Sequence, residues 1–151
     1  MIALLQRVKR ASVSIEDDVI SSTNNGLLVL LGVEKSDTGT QAERLAERLL
    51  SYRVFADANH KMNLSLEDVR GDILLVPQFT LAADTRSGTR PGFSNAAPPD
   101  VGERLFDQVV AIMQQQAAVG AIGRVQSGRF GADMAVELVN DGPVTFWLEA
   151  R

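Results

Sequence analysis

The sequence contains no cysteine and only one histidine among its 151 residues. Without cysteine the chain can form neither disulfide bonds, nor thiolate nucleophiles, nor cysteine-ligated metal sites. The lone histidine, His60, lies in a polar segment, and no acidic or nucleophilic residue has a recognisable spacing to it. A Ser/His/Asp triad and a zinc site are therefore poorly supported, and we expect no metal ion and no cofactor.

Long apolar runs are also absent. No stretch approaches the roughly 18–20 apolar residues that a membrane-spanning helix requires. The apolar start of the chain is interrupted by Arg7, whereas a secretory signal places its charges before the apolar run. These absences predict a cytoplasmic protein that does not contact a membrane.

Positive charge is in deficit, since 15 Lys and Arg residues face 19 Asp and Glu residues, for a net charge of −4. Proteins that hold nucleic acid through broad counterion release are usually basic. The composition argues against tight non-specific binding but leaves room for a small local patch. The length and the 45% hydrophobic content are those of one globular domain, predicted to span residues 1–151.

Apolar periodicity predicts a chain rich in strands, with two helices. The continuous apolar run at 27–33 predicts a central strand buried on both faces, and Asn24-Asn25-Gly26 before it predicts a hairpin turn. Helices are predicted over 39–51 and from Pro98 onward, and further strands at 2–8, 11–15, 72–76, 134–139 and 144–148. Because most strands follow one another directly, we expect an α+β fold: a curled, barrel-like, mostly antiparallel sheet with two main helices packed on it.

The segment Pro77-Gln78-Phe79-Thr80-Leu81 directly follows a buried strand. Proline has no N–H to donate, so the strand ladder must break there, and a broken strand end exposes backbone N–H groups and a hydroxyl. The next seventeen residues, 82–98, are irregular, and such a stretch in a compact domain is often functional. Within it, Arg86 and Arg90 are the candidate phosphate contacts, with a solvated surface loop as the alternative.

Near the C-terminus, Asn140-Asp141-Gly142-Pro143 separates the last two predicted strands. Asn, Asp and Gly tolerate positive φ and Pro presets its own φ, so an ordinary tight turn is one interpretation. A Gly-Pro bond can also be held cis at a cost of only about 0.5–1 kcal/mol, which would aim two backbone carbonyls in one direction. The spacing alone leaves both interpretations open.

Together, Pro77–Leu81 and Asn140–Thr145 resemble segments of the D-aminoacyl-tRNA deacylase family. The resemblance extends over the whole chain, because Gln6–Val13, Lys61–Ser65 and Arg129–Met134 resemble family segments in the same order. It implies an enzyme that hydrolyses the ester between a D-amino acid and the 3′ end of a tRNA. It also implies that the enzyme removes glycine wrongly attached to tRNA.

The resemblance further implies a homodimer in which Gly142-Pro143 of one subunit acts in the active site of the other. In the family this bond is cis and reaches into the partner's active site, where its carbonyls capture the amino group and block L side chains. Arg7 matches the arginine that in the family holds the turn in orientation. Selection between D and L esters would then work by rejection of the wrong isomer.

For the chemistry, we expect backbone N–H groups of Phe79 and Thr80 to stabilise the developing oxyanion of ester hydrolysis. The Thr80 hydroxyl is a candidate nucleophile or water-positioning group, but a nucleophile without an adjacent base is weak. We therefore favour activation of water by the terminal 2′-hydroxyl of the tRNA, as the family is often described. Gln78 is expected to orient Thr80 or the substrate carbonyl, and Phe79 with Met134 to line the pocket for the terminal adenine.

Two other classes of function remain open. One is a catalytically weak or inactive RNA-binding module on the same fold, supported only by Pro77, which replaces the serine that usually precedes Gln-Phe-Thr-Leu in the family. The intact Thr80 and Gly142-Pro143 count against it. The other is a general esterase, which normally needs a base–nucleophile pair that His60 does not provide.

Overall fold

The computed structural model describes all residues from 1 to 151 and contains eight strands and three helices. The strands are β1 (Ile2–Ile15), β2 (Asp18–Thr23), β3 (Gly26–Gly32), β4 (Phe55–Ala56), β5 (Met62–Leu64), β6 (Asp72–Pro77), β7 (Val125–Ser127) and β8 (Ala135–Glu149). The helices are α1 (Gly39–Ser51), α2 (Leu66–Val69) and α3 (Pro99–Ala118), and a 3₁₀ turn spans Phe79–Ala82. No helix combines the length and the hydropathy that a membrane span requires.

The long strand β1 organises the main sheet. It pairs antiparallel with β8 along one side, and antiparallel with β2 and then β3 along the other. Strand β3 continues the sheet through parallel pairing with β6, which pairs in parallel with β7. The expected α+β fold with a curled, barrel-like sheet is confirmed, although the sheet is mixed because of these two parallel pairs.

The hairpin predicted at Asn24-Asn25-Gly26 is wrong. Strands β2 and β3 run in the same direction against β1 and do not pair with each other, so this segment only bends the chain between them. The hairpin instead joins β1 to β2 through Glu16 and Asp17, whose φ angles of 49° and 67° suit a type I′ turn. The physical reason is that β1 is long enough to pair with both strands in succession.

The prediction of two separate C-terminal strands is also wrong, because the single strand β8 continues through the predicted turn. Gln6 pairs with Thr145 and Val8 with Asn140, so the single residue Arg7 faces the four residues 141–144 of β8. The surplus residues form a wide bulge, here called the Gly-Pro bulge (residues 141–144). A bulge satisfies the same local turn preferences while the strand keeps its partner on both sides of it.

The sheet is covered on both faces, as the continuous apolar runs of β3 and β6 require. Leu27, Val29 and Leu31 of β3 point into the larger core cluster, which includes the buried faces of α1 and α3. Leu28 points to the opposite face, where a smaller cluster is enclosed by the curl of the sheet. The two predicted helices are confirmed, and α1 has the predicted bounds.

The amino group of Met1 is buried and bound by acidic side chains. It donates to Asp37 Oδ1 at 2.6 Å, to Glu34 Oε2 at 3.0 Å and to the Ala150 carbonyl at 3.0 Å. Asp37 also accepts the Glu34 backbone N–H at 2.7 Å. This ion pair ties the start of β1 to the loop after β3, and breaking a buried pair leaves an uncompensated charge.

We expect Asp37→Asn to lower the free energy of unfolding by about 3 kcal/mol, because it removes one partner of this buried pair while Glu34 remains. For a domain of this size that is a fall in Tm of roughly 6–12 °C, measurable by calorimetry on protein that begins at Met1. Arg151→Gln is the matched control, since it removes an exposed partner of Glu34 and should leave Tm nearly unchanged. Equal losses in the two variants would contradict the assignment.

Candidate active site

The Gln78–Thr80 segment lies where β6 ends. Pro77 is the last residue of the strand, and the chain then tightens into the 3₁₀ turn. Gln78 anchors this point, because its N–H donates to the Leu31 carbonyl at 2.8 Å. The first N–H groups of a helical turn have no acceptor within it, so those of Phe79 and Thr80 are the donors that this turn offers to an outside acceptor.

Thr80 is exposed and its hydroxyl is held by Gln78. The Gln78 amide donates through Nε2 to Thr80 Oγ1 at 2.5 Å. The amide nitrogen is only a donor, so the Thr80 hydroxyl proton remains free for another acceptor. No imidazole or carboxylate is hydrogen-bonded to this hydroxyl, and His60 lies in the exposed turn between β4 and β5. Gln78 therefore contacts the hydroxyl that it is predicted to orient, and the role stays a prediction.

Phe79 lies at the edge of a cavity of about 460 Å³, here called the Phe79 cavity. The residues that line it and bear on its chemistry are Gln78, Phe79, Phe106, Phe130, Asp133 and Met134. Met134 is held in place because its Sδ accepts the Arg129 N–H at 3.4 Å. An apolar cavity of this size with aromatic rings and a few polar groups suits a nucleoside-sized ligand.

Sequence reasoning did not select Phe106, Phe130 or Asp133 for this cavity. Phe106 belongs to the apolar face of α3, and its helical spacing predicts only a core residue. Phe130 and Asp133 lie in the loop between β7 and β8, and the sole sequence signal was their place in the segment Arg129–Met134. Only the folded chain shows that α3 and this loop meet beside β6.

Thr80 faces a second cavity, of about 430 Å³, here called the Thr80 cavity. Its wall includes Ile2 from the start of β1 and Trp147 from near the end of β8. Asn95 also lines it, from residues 83–98 between the 3₁₀ turn and α3, here called the long loop. Trp147 is 49% exposed. The 3₁₀ turn therefore separates two concave surfaces, with Phe79 on one and Thr80 on the other.

The Gly-Pro bulge is fixed in orientation by Arg7. The Gly142-Pro143 peptide bond is cis, and both residues are exposed. Arg7 Nε lies 3.1 Å from the Asp141 carbonyl and 3.0 Å from Asp141 Oδ2, and its Nη1 donates to the Val54 carbonyl at 2.6 Å. The guanidinium thus clamps the bulge to the segment before β4, and its planar fork is suited to bridging acceptors in this way.

Asn140 supports the bulge from below and was missed by sequence reasoning. Its Nδ2 donates to the Arg7 carbonyl at 3.0 Å and to the Val144 carbonyl at 3.1 Å, closing the base of the bulge. A Cβ added at Gly142 would collide with Asn140 Oδ1, so no larger residue fits there without a shift. Asn140 was noted only as a turn former, and its side-chain role needs the strand pairing to be known.

The two groups of selected residues do not meet within one chain. Gln78, Phe79 and Met134 share the Phe79 cavity with Thr80 beside them, whereas the Gly-Pro bulge faces Arg7. Thr80 lies near Ile2, which is five residues from Arg7 along β1, or roughly 16 Å at about 3.3 Å per residue. Neither cavity is lined by Arg7, Gly142 or Pro143.

Of the two candidate phosphate-binding arginines, Arg86 already has a partner. Its Nε and Nη2 donate to the two carboxylate oxygens of Asp84 at 2.8 and 2.6 Å. These hydrogen bonds hold the pKa of the Asp84 carboxyl well below its usual range. Arg90, by contrast, is exposed and forms no hydrogen bond or ion pair, so its charge is uncompensated. No group of three or more His, Asp or Glu side chains is placed to hold a metal ion.

The family model of D-Tyr-tRNA(Tyr) deacylase matches residues 4–149. The chain belongs to this family. A D-aminoacyl-tRNA deacylase from Xanthomonas oryzae pv. oryzae is 59% identical over 148 residues, covering 98% of this chain and 99% of the relative. One from Pseudomonas fluorescens is 58% identical over 149 residues, covering 99% of each chain.

Two solved structures share the fold. The c-Myc DNA Unwinding Element Binding Protein superimposes with a TM-score of 0.91 at 36% identity, over 100% of this chain and 99% of that one. A probable eukaryotic D-amino acid tRNA deacylase superimposes with a TM-score of 0.80 over 98% of both chains, and at 21% identity it bears on the fold alone. The resemblance and the fold class inferred from the sequence are thereby confirmed.

Proposed function

We propose that this protein hydrolyses the ester bond of D-aminoacyl-tRNA, releasing free tRNA and the D-amino acid. The observation that carries the proposal is that relatives 58–59% identical over almost the full length are D-aminoacyl-tRNA deacylases. We treat residues 1–151 as one deacylase domain, which acts in the cytoplasm, where aminoacyl-tRNA is used. The 3₁₀ turn beside an apolar cavity gives this activity a physical basis.

In the proposed reaction the terminal adenosine enters the Phe79 cavity, between Phe79 and Met134. The ester carbonyl then lies against the start of the 3₁₀ turn, where the N–H groups of Phe79 and Thr80 stabilise the oxyanion. Gln78 fixes the Thr80 hydroxyl, which positions water. The 2′-hydroxyl of the substrate assists removal of the water proton, because no carboxylate or imidazole is hydrogen-bonded to the Thr80 hydroxyl.

We propose that two copies of the chain form the working enzyme, with the Gly-Pro bulge of one reaching the Thr80 side of the other. Three features support this arrangement. The bulge is exposed and lies far from Thr80 of its own chain, the outer edge of β8 has no strand partner, and Trp147 on that strand is exposed. A long unpaired edge with an exposed aromatic residue is typical of an interaction surface.

Selection between D and L esters follows from that arrangement. The carbonyls of the Gly-Pro bulge would accept the substrate amino group, and the same backbone would collide with an L side chain. Glycine has no side chain to be rejected, so glycyl-tRNA should also be hydrolysed. Arg7 and Asn140 hold the bulge rigid, which such rejection requires, since a soft wall would yield to the L isomer.

The decisive experiment compares D-tyrosyl-tRNA, L-tyrosyl-tRNA and glycyl-tRNA as substrates of the purified protein without added metal. We expect rapid loss of the D ester and of the glycyl ester, with the L ester spared. Hydrolysis of both isomers at equal rates would leave a hydrolase but remove the role of the Gly-Pro bulge. Stoichiometric tRNA binding without turnover would favour the non-catalytic RNA-binding module and show that Pro77 is not tolerated.

A further inference from the structure

An exposed pair of phenylalanine rings lies at the rim of the Phe79 cavity. Phe79 is 55% exposed and Phe93 is 42% exposed, and their ring centroids are 5.1 Å apart with the planes tilted by 55°. Phe79 lines the cavity, whereas Phe93 lies outside it, on the long loop. The pair therefore extends the aromatic wall of the site onto the outer surface, and contiguous exposed apolar area of this kind marks candidate binding surfaces.

The same loop presents one uncompensated positive charge. The Asp84 and Gly92 backbones close the loop through two hydrogen bonds, at 2.7 and 3.1 Å, and Phe93 follows directly. Asp84 neutralises Arg86, so Arg90 is the only unpaired cationic side chain between Asp84 and Gly92. Arg90 precedes Phe93 by three residues, a span of at most about 10 Å.

We propose that Phe93 and Arg90 bind the nucleotide that precedes the terminal adenosine of the tRNA. The base of this nucleotide stacks on Phe93. The phosphate that links the nucleotide to the terminal adenosine pairs with Arg90. The inference rests on the proposed function, which sets the terminal adenosine inside the cavity and the preceding nucleotide at its mouth. Stacking on an exposed ring tolerates any base and a single arginine contacts the phosphate, the usual combination for single-stranded nucleic acid.

Two substrates that differ by one nucleotide isolate this contact. Hydrolysis is measured for D-tyrosyl-adenosine and for D-tyrosyl-cytidylyl-adenosine, which adds only the proposed nucleotide. In the unaltered protein we expect the added nucleotide to raise kcat/KM about tenfold, within the range of one stacked base. In Phe93→Ala and Arg90→Ala that gain should shrink to about twofold, mainly through KM, whereas Phe93→Tyr should retain it.

A second readout does not depend on hydrolysis. Binding of a labelled, uncharged CCA trinucleotide, followed by fluorescence anisotropy, should weaken about tenfold in Phe93→Ala. Arg90→Ala should lower the salt dependence of binding by about 0.7 in log–log slope, the value for one phosphate on a single strand. Arg44→Ala is the matched control, because Arg44 is an exposed, unpaired arginine on α1.

The outcomes separate the two proposals. If the unaltered protein hydrolyses no D ester but Phe93→Ala still weakens CCA binding, the proposed function is wrong and the nucleotide site stands. The site would be overturned if the variants lost kcat/KM equally on both substrates. It would also be overturned if the added nucleotide raised kcat/KM in the variants as much as in the unaltered protein. Dissociation of a dimer by Phe93→Ala, seen in sedimentation, would assign the rings to a subunit contact and also overturn it.

Discussion

D-Tyrosyl-tRNA that ends in 2′-deoxyadenosine is expected to be hydrolysed about 100- to 1,000-fold more slowly than the ordinary substrate. The reason is that no side-chain base is hydrogen-bonded to the Thr80 hydroxyl that positions the attacking water. The Thr80 hydroxyl is hydrogen-bonded only to the Gln78 amide, and His60 lies in the exposed turn between β4 and β5. A positioned base is worth roughly 10²–10⁴ in rate, so its removal from the substrate should be visible in kcat.

Two carboxylates line the cavities and define the controls. Glu34 in the Thr80 cavity is bound by the Met1 amino group and by Arg151, so it is not free to take a proton from water. Asp133 in the Phe79 cavity has no ion pair and is the one side-chain alternative. We expect Asp133→Asn to retain activity on the ordinary substrate. A loss of 100-fold or more in Asp133→Asn, with the 2′-deoxy substrate still hydrolysed, would transfer the role of base to that carboxylate.

Thr80→Val distinguishes a positioning hydroxyl from a nucleophile. A positioning hydroxyl is worth no more than about tenfold, the value of one ordinary hydrogen bond. A nucleophile would be indispensable, and Thr80→Val would abolish turnover altogether. Single-turnover rates at saturating protein measure the chemical step apart from substrate binding.

Arg7→Ala is expected to lower kcat/KM for D-tyrosyl-tRNA about 100-fold and to weaken discrimination against the L ester. The guanidinium donates to the Asp141 and Val54 carbonyls and forms an ion pair with the Asp141 carboxylate. Each of the two charged hydrogen bonds contributes about 1.5–3 kcal/mol to holding the bulge. A displacement of about 1 Å in a positioning element can cost 10²-fold. Arg7→Lys should restore little, because a point charge cannot bridge these acceptors in one plane.

A mixed dimer shows whether the bulge acts on its own chain or on the partner. Thr80→Pro removes a backbone N–H donor from the oxyanion site and should cost about 10²–10³ in kcat by itself. Copies carrying Arg7→Ala and copies carrying Thr80→Pro are co-expressed with different tags, and the mixed dimer is isolated by two affinity steps. If the bulge acts in trans, one of the two sites has an intact bulge and an intact turn, and about half of the activity returns. Activity no higher than that of either parent would contradict the trans arrangement.

Helix α1 and the central strands could be predicted because their signals are local. The apolar spacing that defines α1, and the continuous apolar runs of β3 and β6, each specify one way to bury side chains. The end of β6 at Pro77 was predictable for the same reason, since a missing N–H interrupts a ladder wherever it occurs. These features depend only on neighbours along the chain.

The errors all concern pairing between distant segments. Asn24-Asn25-Gly26 and the Gly-Pro bulge both contain turn residues, yet neither reverses the chain, because β1 runs beside β2, β3 and β8 for its whole length. Turn preference describes what a backbone can adopt, while the partner strand decides whether it is used for a reversal or a bulge. The predicted lining of the Phe79 cavity was incomplete for a similar reason. Helix α3 and the loop before β8 contribute residues to it from far along the chain.

The sequence by itself determined the family and the end of β6 before Gln78–Thr80, and it predicted that Arg7 orients the Gly142-Pro143 turn, because these inferences depend on residue identity and order. Only the tertiary structure decided that the bulge and the 3₁₀ turn lie at separate places along β1, and that Asp84 leaves Arg90 rather than Arg86 unpaired. The physical reason is that distances between elements follow from strand register and side-chain pairing. Both are settled by the whole packed chain rather than by any local stretch of it.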